Sequence, residues 1–244
     1  MKVYGITHQG KVRKENQDCF RFDAPEKRDL LTAVLCDGMG GARGGRIASG
    51  LAADTFMFHA ANSLDERSGA SDMKSILNTA VKEANDRVYH QAFEDLSCMG
   101  MGCTLVALLI SGKRAFVANV GDSRAYVMSA GGLRQVTSDH SLVADMIARG
   151  KLTKEEARTH PQKNIITRAV GVEPAVKCDL FELKLSAGDW VLLCSDGLSN
   201  LISDAELWDM LKAHSEPETA CNELLDLALS RGAPDNVTVL LVQR

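Results

Sequence analysis

Long apolar runs are missing from this 244-residue chain, and so are several other patterns that would declare a class at once. No stretch reaches the roughly 18 apolar residues that a membrane-spanning helix needs. The opening Met1-Lys2-Val3-Tyr4-Gly5-Ile6-Thr7-His8 turns polar too soon for a secretory leader, so a cytoplasmic protein with no membrane partner is expected. There is no block of Lys and Arg and no basic–aromatic interleaving, and the net charge is −4; no nucleic-acid partner is expected. The six histidines are scattered, with neither H-E-x-x-H nor a paired Cys/His spacing, which makes zinc a poor candidate. Seven cysteines form no C-x-x-C pair. Cys36, Cys103, Cys194 and Cys221 lie in apolar runs, where a thiol behaves as a small hydrophobe, so buried reduced thiols are expected. The glycines Gly40, Gly41, Gly44 and Gly45 lack a following G-K-[S/T], which argues against a P-loop.

What is present suits a globular protein: 45% hydrophobic and 25% charged residues, without repeats, low-complexity tracts or a linker. The expectation is a single domain over 1–244. Short β-branched and apolar runs at 30–36, 104–110, 115–120, 125–128, 190–194 and 237–242 read as strands, several of them buried. The pair 115–120 and 124–128, joined by Gly121-Asp122-Ser123, reads as a hairpin. Met73, Ile76, Leu77, Ala80, Val81, Ala84, Val88 and Ala92 recur at helical spacing, and 47–62 reads as a second helix. Ser203-x-x-Glu206, Ser215-x-x-Glu218 and Thr153-x-x-Glu156 have capping-box spacing, and Gly232 suits a helix stop. Helices come in pairs rather than alternating with single strands, which predicts an α+β sandwich with helices covering sheets. The polar stretch 138–171 has no clear core face and reads as a surface flap near a site.

Aspartates recur at the ends of the strand-like runs, beside glycine or asparagine. Asp37-Gly38 and Asp196-Gly197 follow two runs, Asp235-Asn236 precedes another, and Asp122 and Asp18 stand nearby. Singly, each such step reads as a turn. As a set they place carboxylates together at one sheet edge, where they would repel unless cations lay between them. Oxygen donors suit hard cations such as Mg²⁺ or Mn²⁺. Gly38, lacking a side chain, would let its backbone carbonyl approach a metal. Arg13, five residues before Asp18, offers a planar fork matched to two phosphate oxygens.

Together, Arg13-x-x-Asn16-x-Asp18, Asp37-Gly38-Met39-Gly40-Gly41, Met101-Gly102-Cys103-Thr104, Asn119-Val120-Gly121-Asp122-Ser123-Arg124, Asp139-His140-Ser141, Ser195-Asp196-Gly197 and Asp235-Asn236 resemble, in order, the motifs of the metal-dependent protein phosphatases of type 2C, in their compact bacterial form. The resemblance implies a four-layer αββα sandwich, two antiparallel sheets flanked by helix pairs, with metals at one end. It implies two Mn²⁺ or Mg²⁺ ions, with Asp37 bridging them, the Gly38 carbonyl on one, and Asp196 and Asp235 on the other. Asp18 would be held through water, Asp122 with Asp196 would bind a third, weaker ion, and Arg13 would bind phosphate. The chain departs from the family at Met39, where some members carry a histidine proposed as general acid, and at Ala42 and Arg46, where many bacterial members have histidine and glutamate.

The function so implied is hydrolysis of phosphoserine and phosphothreonine on proteins, by attack of a water or hydroxide that bridges the two metals, with Arg13 and Asp37 as catalytic residues. No protein nucleophile is required, and the carboxylate beside Cys36 would disfavour its thiolate. Phosphorylated proteins, including a serine/threonine kinase and its targets, are the implied partners, and a monomer is expected. The rival reading is a catalytically silent phosphoprotein-binding module, which predicts loss of a ligand aspartate; none is missing. A two-metal nuclease would show a basic groove, against the acidic balance here.

Overall fold

Successive residues of a strand face opposite ways, and that alternation divides the apolar interior of this protein into three layers. The computed structural model describes residues 1–244 except the side chains of Ala42, Leu96 and Lys154; the departure from family pattern at Ala42 therefore lies outside the described side chains. Strands β1 (Lys2–His8), β2 (Asp18–Asp23) and β3 (Leu30–Met39) precede helices α1 (Gly41–Ser63) and α2 (Ala70–Glu94). Next come β4 (Gly102–Cys103), β5 (Leu105–Ser111), β6 (Arg114–Val120), β7 (Arg124–Ser129) and β8 (Gly132–Gln135). Short helices α3 (Leu142–Ala148) and α4 (Lys154–Thr159) lead to β9 (Asp179–Lys184) and β10 (Trp190–Cys194). Helices α5 (Asp196–Ser199), α6 (Asp204–Ala213) and α7 (Pro217–Ser230) and strand β11 (Val237–Gln243) complete the order.

The strands form two sheets, β1-β11-β10-β7-β8 and β2-β3-β5-β6-β9, with β4 paired to β3. In β3, Leu30, Val34 and Cys36 pack with α1 and α2, whereas Leu31, Ala33 and Leu35 meet Val191, Leu193 and Leu240 of the other sheet. On the far side, Leu192, Val239 and Leu241 pack with Leu207, Leu211 and Leu224 of α6 and α7. The αββα sandwich is thus as the resemblance implies. Because β3, β5, β10 and β11 are covered on both faces, they read as near-continuous apolar runs.

Three local expectations change. First, β6 and β7 form no hairpin: β6 pairs with β5 and β9, and β7 with β10 and β8. The Gly121-Asp122-Ser123 turn therefore carries the chain from one sheet to the other, with Gly121 at φ +102, a conformation that favours glycine. Second, Asp37 and Asp196 do not share a sheet edge. Asp37 lies inside β3 of one sheet and Asp196 follows β10 of the other. Third, Ser215-x-x-Glu218 makes no capping box. Pro217 needs no N–H partner and occupies the start of α7, so Glu216 is the N-cap and Glu218 falls one position short. The boxes at Ser203/Glu206 and Thr153/Glu156 do form, and Gly232 follows α7 at φ +96. Strands β1, β2, β8 and β9 escape the sequence pattern because they lie at or beside sheet edges and are only partly buried.

Candidate active site

The two sheets present their acidic turns at the same end of the sandwich. Asp37 from β3, Asp196 at the start of α5, Asp235 just before β11 and Asp122 from the inter-sheet turn all line one cavity of about 450 Å³, with Arg13 and Gly38. Asp18 stands opposite Asp37 in the β2–β3 ladder and is 8% exposed. All six residues expected to hold metals, and Arg13, are therefore at this end of the molecule. The cavity also takes in Met39, Thr104, Asn164 and Ile166.

The chain around these aspartates is held from behind. The Asp37 backbone is clasped by Thr104, whose Oγ1 accepts the Asp37 N–H at 2.9 Å and whose N–H donates to the Asp37 carbonyl at 2.8 Å. Thr104 Oγ1 also lies 2.7 Å from Ser123 Oγ, tying Asp37 to the turn that carries Asp122. That turn is braced again by His140, whose Nδ1 accepts the Gly121 N–H at 3.1 Å and whose backbone N–H donates to the Gly121 carbonyl at 2.9 Å. Asp18 Oδ2 accepts from Ser195 Oγ at 2.8 Å and Thr238 Oγ1 at 2.6 Å. Asn236, 4% exposed, accepts the Gln17 N–H and donates to the Gln9 and Glu15 carbonyls, fixing the loop that bears Arg13. Asn200 Nδ2 donates to Asp196 Oδ2 at 3.0 Å. Arg13 Nη2 donates to Asp235 Oδ2 at 2.7 Å, so the guanidinium and a carboxylate of the cavity are already paired.

Gly38 is required by packing. A Cβ there would fall 2.0 Å from the Gly45 carbonyl oxygen, so the start of α1 can approach β3 only over a glycine. Close packing of α1 is thus a second reason for glycine here, beside the metal approach expected from the sequence.

The electrostatics are those of anions forced together. Burial raises the Asp37 carboxyl well above the usual range, reinforced by Asp18, Asp196, Asp122 and Asp235. Burial likewise raises Asp122 to about 8, with Asp196 and Asp139 adding to it. Asp196 rises to about 6 through burial and the charge of Asp235, and Asp18 to about 6 through burial against its two hydroxyl donors. Each shift marks a carboxylate that is less stable here than in water. Asp18 Oδ1 is, in addition, buried without a hydrogen-bond partner. An all-oxygen donor set, mutual repulsion and an orphaned carboxylate oxygen fit hard divalent cations. Among the described residues, no three His, Cys, Asp or Glu side chains form a ready-made cage. Mg²⁺-type ions commonly take one or two carboxylates and keep several waters, so a closed cage is not needed.

Cysteine offers no competing chemistry. All seven thiols are free, and burial pushes Cys36 well above its usual value and Cys194 to about 12. For Cys36 the adjacent Asp37 acts in the same direction but is a minor cause beside burial.

Sequence reasoning did not single out Thr104, Ser195, Thr238 or His140 as the supports of these aspartates. The available signal is a hydroxyl or imidazole placed beside or within an apolar run, as in Val237-Thr238-Val239. Such a residue is buried and must find a partner.

The Protein phosphatase 2C family profile matches residues 7–230. The serine/threonine phosphatase stp of Listeria innocua is 36% identical over 239 residues, which are 98% of this chain and 94% of that protein. The serine/threonine protein phosphatase PstP of Mycobacterium tuberculosis is 38% identical over 236 residues, 96% of this chain and 43% of that protein. Among solved structures, serine/threonine phosphatase Stp1 from Staphylococcus aureus matches with a TM-score of 0.91 at 36% identity, covering 99% of this chain and 94% of that one. A catalytic domain of PstP in complex with two manganese ions matches with a TM-score of 0.84 at 34% identity, covering 99% of this chain and 97% of that one.

Proposed function

The chain belongs to the protein phosphatase 2C family, and from that premise we propose that it is a metal-dependent enzyme that hydrolyses phosphoserine and phosphothreonine on proteins. The observation that carries the reading is the meeting of Asp37, Asp122, Asp196 and Asp235 with Arg13 around one cavity, although these residues span most of the chain.

Asp37, Asp196 and Asp235, with the Gly38 carbonyl, are the groups that would hold two Mn²⁺ or Mg²⁺ ions, with Asp18 acting through water and Asp122 with Asp196 serving a third. When bound, such ions supply a lowered pKa for water and a counter-charge for phosphoryl oxygens. The chain's own contribution is positional. Thr104 holds the Asp37 backbone, Ser195 and Thr238 hold the Asp18 carboxylate, and Asn236 fixes the loop that bears Arg13, which keeps the constellation in place before substrate arrives. Arg13 has donors enough to keep Asp235 and still face two phosphoryl oxygens, orienting the ester and balancing its charge. Ser195 spends its hydroxyl on Asp18 and the Cys36 thiol is buried and neutral, so no protein nucleophile is assigned. Met39 lines the cavity but has no proton to give, so the leaving oxygen needs its proton from water or from another group.

The silent-module alternative has no observation in its favour, since the acidic groups are all in place. We read the chain as one catalytic domain with 138–171 as its flap; Asn164 and Ile166 of that segment border the cavity. Phosphoproteins are the substrate class. A serine/threonine kinase and its targets among them, a monomeric state and a cytoplasmic location are further parts of this reading. Among the described residues no helix is long and apolar enough to cross a membrane.

The test is hydrolysis of a phosphothreonine peptide by purified protein with Mn²⁺, Mg²⁺, Zn²⁺ or chelator. Turnover is expected with Mn²⁺ or Mg²⁺, and activity that survives full chelation would refute the mechanism.

A further inference from the structure

A second cavity, of about 380 Å³, lies against the acidic one and shares two of its walls, Met39 and Ile166. The remaining apolar lining is Ala169, Val172, Ala175 and Val176. Its volume is within the range of small-ligand sites, roughly 300–1,000 Å³. The chemistry changes across Met39, from a lining rich in carboxylates to one where aliphatic side chains stand beside Thr167, Arg168, Glu173 and Lys177.

This second wall is built rather than loose. Val170 exchanges two backbone hydrogen bonds with Cys103 of β4, at 3.0 and 2.8 Å. Asn85 of α2, 1% exposed, accepts the Gly171 N–H at 2.8 Å and donates to the Glu173 carbonyl at 3.0 Å. Arg168 is held by Asp179 Oδ1 at 2.9 Å and by the Lys177 carbonyl at 3.2 Å. Charge gives no preference for an ionic guest. Arg168 is paired with Asp179, and Glu173 and Lys177 on the lining are of opposite sign. Val172 is 48% exposed, an apolar residue at the edge of a pocket that continues the active site.

We propose that this cavity receives an aliphatic side chain of the protein substrate, a near neighbour of the phosphorylated residue, while the phosphate occupies the acidic cavity. The continuity through Met39 and Ile166 selects this occupant, because a peptide whose phosphate lies among the aspartates must leave over one of the cavity's walls. The proposal rests on the phosphatase reading and adds to it a basis for choosing substrates. A pocket that accepts or loses one aliphatic contact discriminates by about 10- to 200-fold.

The experiment compares two phosphothreonine peptides, identical except that the residues flanking the phosphothreonine are Leu in one and Ser in the other, with p-nitrophenyl phosphate as an ester that has no flanking side chains. With Mn²⁺ the native protein is expected to favour the Leu peptide about tenfold in kcat/KM. Val172→Asp is expected to abolish that preference and leave p-nitrophenyl phosphate hydrolysis unchanged. Equal rates on the two peptides, or a preference that survives Val172→Asp, would overturn the proposal while the phosphatase reading stands. If Val172→Asp also loses p-nitrophenyl phosphate hydrolysis, Ala175→Asp on the same wall repeats the comparison with the same two outcomes. Absence of metal-dependent hydrolysis of all three esters would overturn both readings.

Discussion

Strand β3 contains two regions of opposite character only one residue apart. From Leu30 to Cys36 its side chains are at most 4% exposed, and its odd-numbered residues Leu31, Ala33 and Leu35 fill the space between the sheets. At Asp37 the same strand becomes anionic. The apolar bodies of β10 and β11 end in the same way, at Asp196 and Asp235. The apolar region lowers its free energy by coming together, whereas the acidic region raises its own. The acidic end persists because the strands that bear it are locked by the apolar layer, and because hydroxyls and amides from neighbouring strands hold the aspartates. On the proposed function, stability and catalysis are thus assigned to opposite ends of single strands. A substitution in one region should leave the other's property nearly intact.

The strongest way to break that division is Asp37→Asn. It should lower kcat on a phosphothreonine peptide by about a thousandfold or more, while in chelator circular dichroism and the thermal midpoint stay at or above native values, since a buried carboxyl crowded by other carboxyls has been removed. The converse is Leu108→Ala in the inter-sheet layer, where Leu108 is fully buried. It should cost about 2–5 kcal/mol in urea unfolding, with kcat of the folded enzyme close to native. Loss of kcat at full folding would show that the two regions are not separable.

Metal should move stability and activity together, because it relieves the one region that opposes folding. Mn²⁺ at about 100 times its Kd should add roughly 2.7 kcal/mol to unfolding. The pH dependence has a definite sign. Carboxyls with raised values in the folded state bind more protons there than in the unfolded chain. Metal-free stability should therefore fall as pH rises from about 4 through the values near 6 for Asp18 and Asp196 and toward about 8 for Asp122. The stabilisation by Mn²⁺ should be larger at pH 8 than at pH 5, where protons compete for the same oxygens. Unfolding curves at both values, with and without chelator, check this. The smallest effect concerns Arg13. Arg13→Ala should lower kcat/KM by roughly 10- to 100-fold, as expected for loss of a charged hydrogen bond, and Arg13→Lys should restore only part, because a point charge lacks the planar fork.

Much of this was open to reading from the chain alone. The buried strand bodies announce themselves through uninterrupted apolar runs, the paired helices through three- and four-residue spacing, and the acidic motifs through their order. Strands β1, β2 and β9 were not legible, since partial burial gives them mixed patterns that resemble loops. The hairpin expected at Gly121-Asp122-Ser123 failed for a related reason. A tight turn between two apolar runs is chemically the same whether its strands pair with each other or enter different sheets.

The amino-acid order by itself determined the kind of chemistry available: oxygen donors without a zinc-type set, a guanidinium whose fork matches phosphate in shape, and thiols set mostly in apolar runs. Only the tertiary structure decided that Asp37 and Asp196, borne on different sheets, line one cavity with Asp235 and Arg13, and that a second cavity, lined in part by aliphatic side chains, adjoins them across Met39. The physical reason is that a residue's chemistry is local to its side chain, whereas repulsion, cation binding and side-chain recognition depend on distances between groups as much as 222 positions apart. Those distances are set by how two sheets and their helices close around a shared apolar interior.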